Sequence, residues 1–150
     1  MDTISSFQGK YRFLSNFYPS PIEINNILYP AVEHWYQANK ALTERDHHFI
    51  RKQKTPEGAK QYGKLVTLKP GWQNVRLRVM IKGVWEKFAQ NSDLRQRLIE
   101  THPMVLIEGN GWGDQFWGVS KGIGENHLGK ILMLARDKII KDKEANNEQD

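Results

Sequence analysis

The stretch Asn110-Gly-Trp-Gly-Asp-Gln-Phe-Trp-Gly118 combines glycines, two tryptophans and one carboxylate, and it continues through Gly122, Gly124 and Asn126 into an apolar segment. Because glycine lets the backbone bend sharply, this loop could hold an aromatic face and an acid against a flat ligand. A loop that leads into a helix N-terminus also readily binds anions. A glycine-bent connector whose tryptophans fill the core would explain the same composition.

The segments on either side of this loop differ in their hydrophobic pattern. Before the loop, the short apolar run 103–107 predicts a buried strand whose end delivers Glu108 to the loop. After the loop, a final helix is predicted from about Glu125, because apolar residues recur at helical spacing: Leu128, Ile131, Leu132, Ala135 and Ile139. Residues 142–150 carry no apolar side chain larger than alanine, which predicts a domain over 1–141 and a disordered tail over 142–150.

The rest of the chain is predicted to be mainly helical. Helices are expected over 30–43, 46–52, 56–65, 73–90 and 93–101, with Thr55 and Ser92 as N-caps. Phe13-Leu-Ser-Asn-Phe-Tyr18 predicts an irregular strand and turn. Ile22 to Tyr29 predicts a hairpin that turns at Asn25-Asn26.

Composition limits the class of protein. The chain has 150 residues, enough for one domain with a real core, and it has no cysteine, which excludes disulfides and cysteine-ligated zinc. No apolar run is long enough to span a bilayer, and the first residues lack the features of a signal peptide, so a cytoplasmic protein is expected. A formal net charge of +5 favours an anionic partner such as a phosphate, a nucleotide or a nucleic acid.

Several common motifs are incomplete in this chain. The segment from Gly124 to Lys130 has the spacing of a phosphate-binding P-loop, but Ile131 replaces the hydroxyl residue that would hold magnesium. The histidines do not form a zinc-binding pattern, and no metal site is predicted. Taken alone, Glu33 fits a solvated acid on a helix, and Lys60 fits a solvated face.

The following segments occur in this order along the chain: Phe7, Phe13-Leu-Ser-Asn-Phe-Tyr18-Pro19, Glu33-His-Trp-Tyr36-Gln37-Ala38, Lys40, Pro56, Ala59-Lys60, Gly63, Trp72, Val79-Met80, Lys87-Phe88, Leu98, Thr101, Glu108, Asp114, Trp117-Gly118, Gly124, Asn126, Leu128-Gly129, Leu132-Met133 and Arg136. Taken together, they resemble the NADAR superfamily, which includes the YbiA-like N-glycosidases that act on intermediates of riboflavin biosynthesis. No single segment is specific, but the set is ordered and covers nearly the whole chain.

The resemblance implies an α+β fold, a mainly helical single domain around a small β-sheet, and a pocket that cleaves a base from C1′ of a ribose phosphate. The main expectation is hydrolysis of phosphoribosylamino-pyrimidine intermediates of riboflavin synthesis, which releases ribose 5-phosphate. The alternative is removal of ADP-ribose from guanine, in which case nucleic acid is a partner only as a modified substrate. No cofactor is expected, and the oligomeric state is not predicted.

The resemblance also implies the site residues. Glu33 and Asp114 are the expected catalytic carboxylates: one stabilises the cation that develops at C1′ or activates water, and the other helps the base to leave. The expected substrate-binding residues comprise aromatic side chains, polar side chains, phosphate-binding cations and loop positions: Phe17, Tyr36, Trp117, Ser15, Asn16, Arg12, Lys60, Lys87, Gly118 and Asn126.

Three alternatives remain open on the sequence. A lysine could instead form a Schiff base with the ring-opened sugar, but the spacing of Lys10 does not match that of family members, so direct hydrolysis is favoured. Val119-Ser120-Lys121 departs from the family loop and could alter the pocket rim. A non-catalytic domain that binds RNA, single-stranded DNA or ADP-ribose would also suit a basic, tryptophan-rich chain.

Overall fold

A computed structural model describes residues 2–149, with side chains through residue 147. Its α-helices are α1 (Val32–Asn39), α2 (Glu44–Arg51), α3 (Pro56–Gly63), α4 (Trp72–Gln90), α5 (Ser92–Glu100) and α6 (His127–Gln149). Its strands are β1 (Thr3–Ile4), β2 (Ile22–Ile24), β3 (Ile27–Tyr29), β4 (Val105–Leu106), β5 (Gly109–Asn110) and β6 (Val119–Ser120), and Gly9–Leu14 form a 3₁₀ helix. The predicted, mainly helical α+β class is confirmed, and the described strands pair as three separate two-stranded sheets.

The contacts within the chain divide it into two compact units. Asn16–Asn91 form the central unit, and the residues before Asn16 together with those after Asn91 form the terminal unit. The central unit contains β2, β3 and α1 to α4, and the terminal unit contains the remaining elements.

In the central unit, α1 is the buried helix and packs against α2, α3 and α4. The predicted N-cap at Thr55 is confirmed, because its hydroxyl accepts a hydrogen bond from the Gly58 N–H at 3.0 Å. The predicted hairpin is also confirmed: β2 and β3 are antiparallel, and Asn25 and Asn26 adopt left-handed φ values of 54° and 65°. The core is apolar, with members Ile22, Ile24, Tyr29, Trp35, Ala38, Ala41, Ile50 and Ala59.

The end of α1 differs from the prediction, which extended this helix to Thr43. The helix ends at Asn39, because the backbone that follows pairs with another segment instead of continuing the helix. The Lys69 N–H donates to the Lys40 carbonyl at 2.9 Å, and the Leu42 N–H donates to the Thr67 carbonyl at 2.9 Å. This pairing fixes the position of Lys40 at the C-terminus of α1.

In the terminal unit, β1 pairs in parallel with β4, and β5 pairs in parallel with β6. The predicted strand within 103–107 is confirmed as β4, whose Leu106 is buried. The strand predicted to start at Phe13 is wrong, because Phe13 and Leu14 are instead the last residues of the 3₁₀ helix, where their side chains are buried. The apolar stripe of α6 is buried as predicted: Leu128, Ile131, Leu132, Ala135 and Ile139.

The last helix continues through Gln149, and its residues 141–147 are exposed. The disorder expected over 142–150 stays a prediction, and residue 150 lies outside the described residues. Among the described residues, no helix has both the length and the apolar character needed to cross a membrane.

Candidate active site

The first turn of α1 holds a buried carboxylate. Glu33 is only 7% exposed, which excludes the solvated helix face that its sequence context alone suggested. The Gln37 side-chain N–H donates to Glu33 Oε1 at 2.7 Å, and the Glu33 backbone N–H donates to the Asn16 carbonyl at 3.1 Å. Glu33 is in the first turn of α1, where the helix dipole favours a negative charge.

A lysine belongs to the same cluster, although the predicted site did not include it. Lys40 lies seven residues after Glu33, two turns along the same helix face, and is half-buried. Burial lowers the pKa of Lys40, the negative charge of Glu33 opposes that change, and the positive charges of Lys60 and Lys64 reinforce it. The spacing of Glu33 and Lys40 was the sequence signal that could have identified it.

Aromatic side chains lie beside these charges. The Lys40 ammonium is 5.7 Å from the ring centroid of Tyr36, which is buried and packs on Trp72 with ring centroids 5.2 Å apart. The Lys60 ammonium is 5.7 Å from the ring centroid of Phe17, which is half-buried. Such cation–π contacts hold an ammonium group in place without neutralising its charge.

The close approach of α3 to α1 requires a glycine. A β-carbon added at Gly63 would collide with the Gln37 side chain that donates to Glu33. Gly63 therefore lets α3 press against the part of α1 that holds the carboxylate, and this contact also positions Lys60 on the preceding turn. Five of the predicted site residues thus lie in the central unit around or near α1, namely Asn16, Phe17, Glu33, Tyr36 and Lys60.

Lys87 is also in the central unit, but its surroundings suit a structural role better than a phosphate contact. It lies on α4 and is 1% exposed. Its ammonium is 5.2 Å from the ring centroid of Phe88 and 6.0 Å from that of Tyr18. A lysine this deeply buried cannot meet a solvated phosphate without a rearrangement, so its predicted binding role stays a prediction.

In the terminal unit, Asp114 organises the glycine-rich loop. Its Oδ1 accepts hydrogen bonds from the backbone N–H groups of Phe116 at 3.1 Å and Trp117 at 2.9 Å. The Asp114 N–H donates to Asn110 Oδ1 at 3.0 Å, and the Asn110 amide donates to Glu108 Oε2 at 3.0 Å. These bonds account for an acid at this position without invoking a substrate, and the catalytic role of Asp114 stays a prediction.

The two tryptophans of the loop have different environments. Trp117 is half-buried, and its ring packs edge-on against Phe116 with centroids 4.8 Å apart, whereas Trp112 is 61% exposed. Gly118 is buried, and a β-carbon there would collide with the carboxylate and carbonyl of Glu108. Gly118 therefore allows close backbone packing beneath the loop.

Asn126 and the 3₁₀ segment complete the predicted set. Asn126 is buried at a φ of 53°; its Oδ1 accepts from the Glu108 N–H at 2.9 Å, and its amide donates to the Leu106 carbonyl at 2.9 Å. Both the oxygen and the nitrogen of its side-chain amide therefore bind backbone groups, at Glu108 and Leu106. Arg12 and Ser15 are half-buried at the end of the 3₁₀ helix, where the Ser15 N–H donates to the Arg12 carbonyl at 2.9 Å.

No three acidic or histidine side chains among the described residues are arranged to hold a metal ion. The central unit offers instead a buried carboxylate, lysines and aromatic rings. A buried carboxylate can stabilise a positive charge that develops on a substrate, and lysines can hold an anionic group.

Comparison with known proteins identifies the family. Residues 5–140 match the NADAR domain. N-glycosidase YbiA of Escherichia coli (strain K12) is 34% identical over 148 residues, which cover 95% of this chain and 92% of that protein. An N-glycosidase of Nostoc punctiforme is 37% identical over 135 residues, with 86% of each chain covered. A riboflavin biosynthesis protein of Vibrio vulnificus is 37% identical over 133 residues, which cover 85% of this chain and 35% of that protein.

The fold agrees with this relationship. The NMR structure of the E. coli protein YbiA matches with a TM-score of 0.85 and 33% sequence identity, and the match covers 95% of this chain and 89% of that one. Relatives that are similar over nearly their whole lengths are named N-glycosidases, which supports an enzyme of the class that hydrolyses N-glycosyl compounds. The chain belongs to the NADAR domain family.

Proposed function

We propose that this N-glycosidase hydrolyses phosphoribosylamino-pyrimidine intermediates of riboflavin biosynthesis and releases ribose 5-phosphate. Two observations support this substrate class. Relatives from Vibrio vulnificus and Zea mays are named riboflavin biosynthesis proteins, and this chain matches 35% and 23% of their respective lengths. The central unit also pairs a buried carboxylate with lysines, which suits a substrate that carries both a reactive sugar carbon and a phosphate.

The burial of Glu33 is the single observation that carries the mechanism. Cleavage of a bond between C1′ and nitrogen proceeds through a transition state with oxocarbenium character, in which positive charge develops on the sugar ring. A carboxylate that is withdrawn from water and held by Gln37 interacts more strongly with that charge than a solvated acid does. Glu33 is therefore the proposed stabiliser of the transition state.

The proposed reaction consumes one water molecule. The C1′–N bond breaks and its electron pair stays with nitrogen, which gains a proton as the aminopyrimidine leaves. Water adds its oxygen to C1′ and loses a proton, so the products are ribose 5-phosphate and the free aminopyrimidine. Glu33 can stabilise the cationic sugar or accept the proton of the attacking water, and either role requires its ionised form.

The neighbouring residues have supporting roles in this proposal. Tyr36 is buried beside the cluster and offers an apolar wall that excludes water from the reacting carbon. Phe17 is half-buried and offers a ring face on which a pyrimidine can stack. Asn16 lies against α1 through its carbonyl, while its amide donates to the Met80 sulfur at 3.3 Å, so this segment is fixed relative to Glu33.

A substrate panel tests the proposal. The purified protein is incubated separately with the phosphoribosylamino-pyrimidine, with ADP-ribosylated guanosine and with uridine 5′-monophosphate, and the products are followed by mass spectrometry. We expect ribose 5-phosphate from the first compound alone. Release of ADP-ribose from the guanosine compound alone would replace the proposed substrate while keeping an N-glycosidase. No release from any of the three by folded protein would contradict the proposal.

A further inference from the structure

We propose that Lys40, Lys60 and Lys64 form an anion site beside Glu33 that holds the 5′-phosphate of the ribose substrate. This inference rests on the proposed function and adds a specific binding site to it. Of the three lysines, only Lys60 belongs to the set that the sequence predicted. The other two are identified by their positions around α1 and α3.

The backbone brings the three lysines to one end of the α1–α3 pair. Lys60 and Lys64 are four residues apart at the end of α3 and so lie on the same helix face. Lys40 is the C-cap of α1, and its backbone is held from both sides: its N–H donates to the Gln37 carbonyl, and its carbonyl accepts from the Lys69 N–H at 2.9 Å. Gly63 keeps the two helices close, because its missing side chain makes room for Gln37.

Three charged side chains act on the Lys40 ammonium group. Glu33 is the one carboxylate in this set, while Lys60 and Lys64 are both cations. An anion that binds among three lysines is attracted by all of them, and partial burial strengthens that attraction. A phosphate, which carries up to two negative charges, would satisfy this arrangement better than a second carboxylate.

Exposure decreases along the cluster from solvent to carboxylate. Lys64 is exposed, Lys60 and Lys40 are half-buried, and Glu33 is buried. The Lys40 and Lys60 ammonium groups each lie 5.7 Å from an aromatic ring centroid, which restrains them without removing their charge. This gradient suits a small ligand with an anionic end and a sugar carbon that reaches Glu33, and ribose 5-phosphate has that shape.

A structural alternative exists for Lys40, because a cation at a helix C-terminus interacts favourably with the helix dipole. That role predicts a loss of stability on substitution and no change in ligand affinity. The anion site predicts instead a loss of affinity for phosphorylated ligands. Ligand binding therefore separates the two roles.

The test measures binding of ribose 5-phosphate and of inorganic phosphate by isothermal titration calorimetry. Lys40→Met and Lys60→Met are each expected to weaken ribose 5-phosphate binding about tenfold, the effect of losing one charged contact. Lys64→Met, at an exposed position that tolerates substitution, is expected to weaken it about threefold and to reduce its dependence on salt. Lys130→Met removes an exposed lysine from α6 and serves as the matched control, with wild-type affinity expected.

The outcomes distinguish this inference from the proposed reaction. Wild-type affinity for ribose 5-phosphate in all three cluster variants would overturn the anion site, whether or not the protein hydrolyses the pyrimidine substrate. Weakened binding in these variants and not in Lys130→Met would support the site. If that pattern occurs in a protein that does not cleave the substrate, the anion site stands and the proposed reaction fails.

Discussion

Substitution of Asn126 by alanine tests the structural role that the contacts of its side chain indicate, at a position that the sequence predicted to bind substrate. The variant loses the bond from the Glu108 N–H and the bond to the Leu106 carbonyl, both 2.9 Å long, at a position that is 9% exposed. Each backbone group left without a partner in a buried place costs about 1–3 kcal/mol. Alanine also tolerates the φ of 53° less well than asparagine does, which adds about 1 kcal/mol.

The expected loss in the free energy of unfolding is therefore about 3–7 kcal/mol, a large part of the roughly 5–15 kcal/mol that stabilises an ordinary domain. Urea denaturation followed by circular dichroism measures it. Asn25→Ala is the matched control: Asn25 has nearly the same φ, 54°, but its side chain is exposed, so only the backbone term of about 1 kcal/mol is expected. Equal losses in the two variants would refute the structural role assigned to the Asn126 amide.

Three further predictions follow from the described contacts. Asp114→Asn keeps an oxygen that can accept hydrogen bonds from the Phe116 and Trp117 N–H groups. If Asp114 only organises the loop, Asp114→Asn should keep near wild-type turnover and Asp114→Ala should destabilise the loop. A large loss of turnover in Asp114→Asn would instead support a catalytic role. Burial, and then the charge of Arg51, lower the pKa of His47. As the pH falls, the unfolded chain therefore takes up a proton at this histidine before the folded protein does. Stability is therefore expected to decline as the pH falls below about 6.5, and His47→Gln should reduce that decline in denaturation curves measured between pH 7.5 and pH 5. Gly83→Ala would drive a β-carbon into the Trp35 ring, and a loss of about 1–3 kcal/mol is expected by urea denaturation; an unchanged midpoint would contradict this packing.

Local chemistry made part of the fold predictable. Thr55 followed by Pro56 predicts a helix start because a hydroxyl can cap the first turn and proline suits its first position, and α3 begins there. Asn25-Asn26 predicts a tight turn because asparagine tolerates left-handed φ values, and β2 and β3 meet at those residues. Each of these signals acts within a few residues.

Features that depend on distant segments could not be predicted. The sheet of β1 and β4 pairs Thr3 with Val105, and two residues at the start of a chain carry no pattern that indicates a partner. Helix α1 ends at Asn39 because the backbone after it pairs with residues 67–69, although the apolar pattern continues to Leu42. Tertiary pairing overrode the local pattern in both cases.

In the candidate site, too, some residues could be predicted from the sequence, whereas the surroundings of others depend on distant segments. The resemblance placed Glu33 in the site, and its burial and its bond from Gln37 support that assignment. Lys40 was not in the predicted set, although its spacing placed it on the same helix face as Glu33; its proximity to Lys60 and Lys64 depends on the packing of α3 against α1. Asn126 was predicted to bind substrate at the start of the last helix; its side-chain amide is bound to the backbone of Leu106 and Glu108, and its binding role stays a prediction.

The buried Glu33 carboxylate is the proposed stabiliser of the transition state for cleavage of the N-glycosidic bond. The most direct test compares wild-type protein with Glu33→Gln in single-turnover release of ribose 5-phosphate from the phosphoribosylamino-pyrimidine, with circular dichroism as the check on folding. Glutamine keeps the size of the side chain and an oxygen that can accept from Gln37. We expect the rate to fall about 10²–10³-fold while the fold is kept. A Glu33→Gln protein that releases ribose 5-phosphate at the wild-type rate would contradict this role of Glu33.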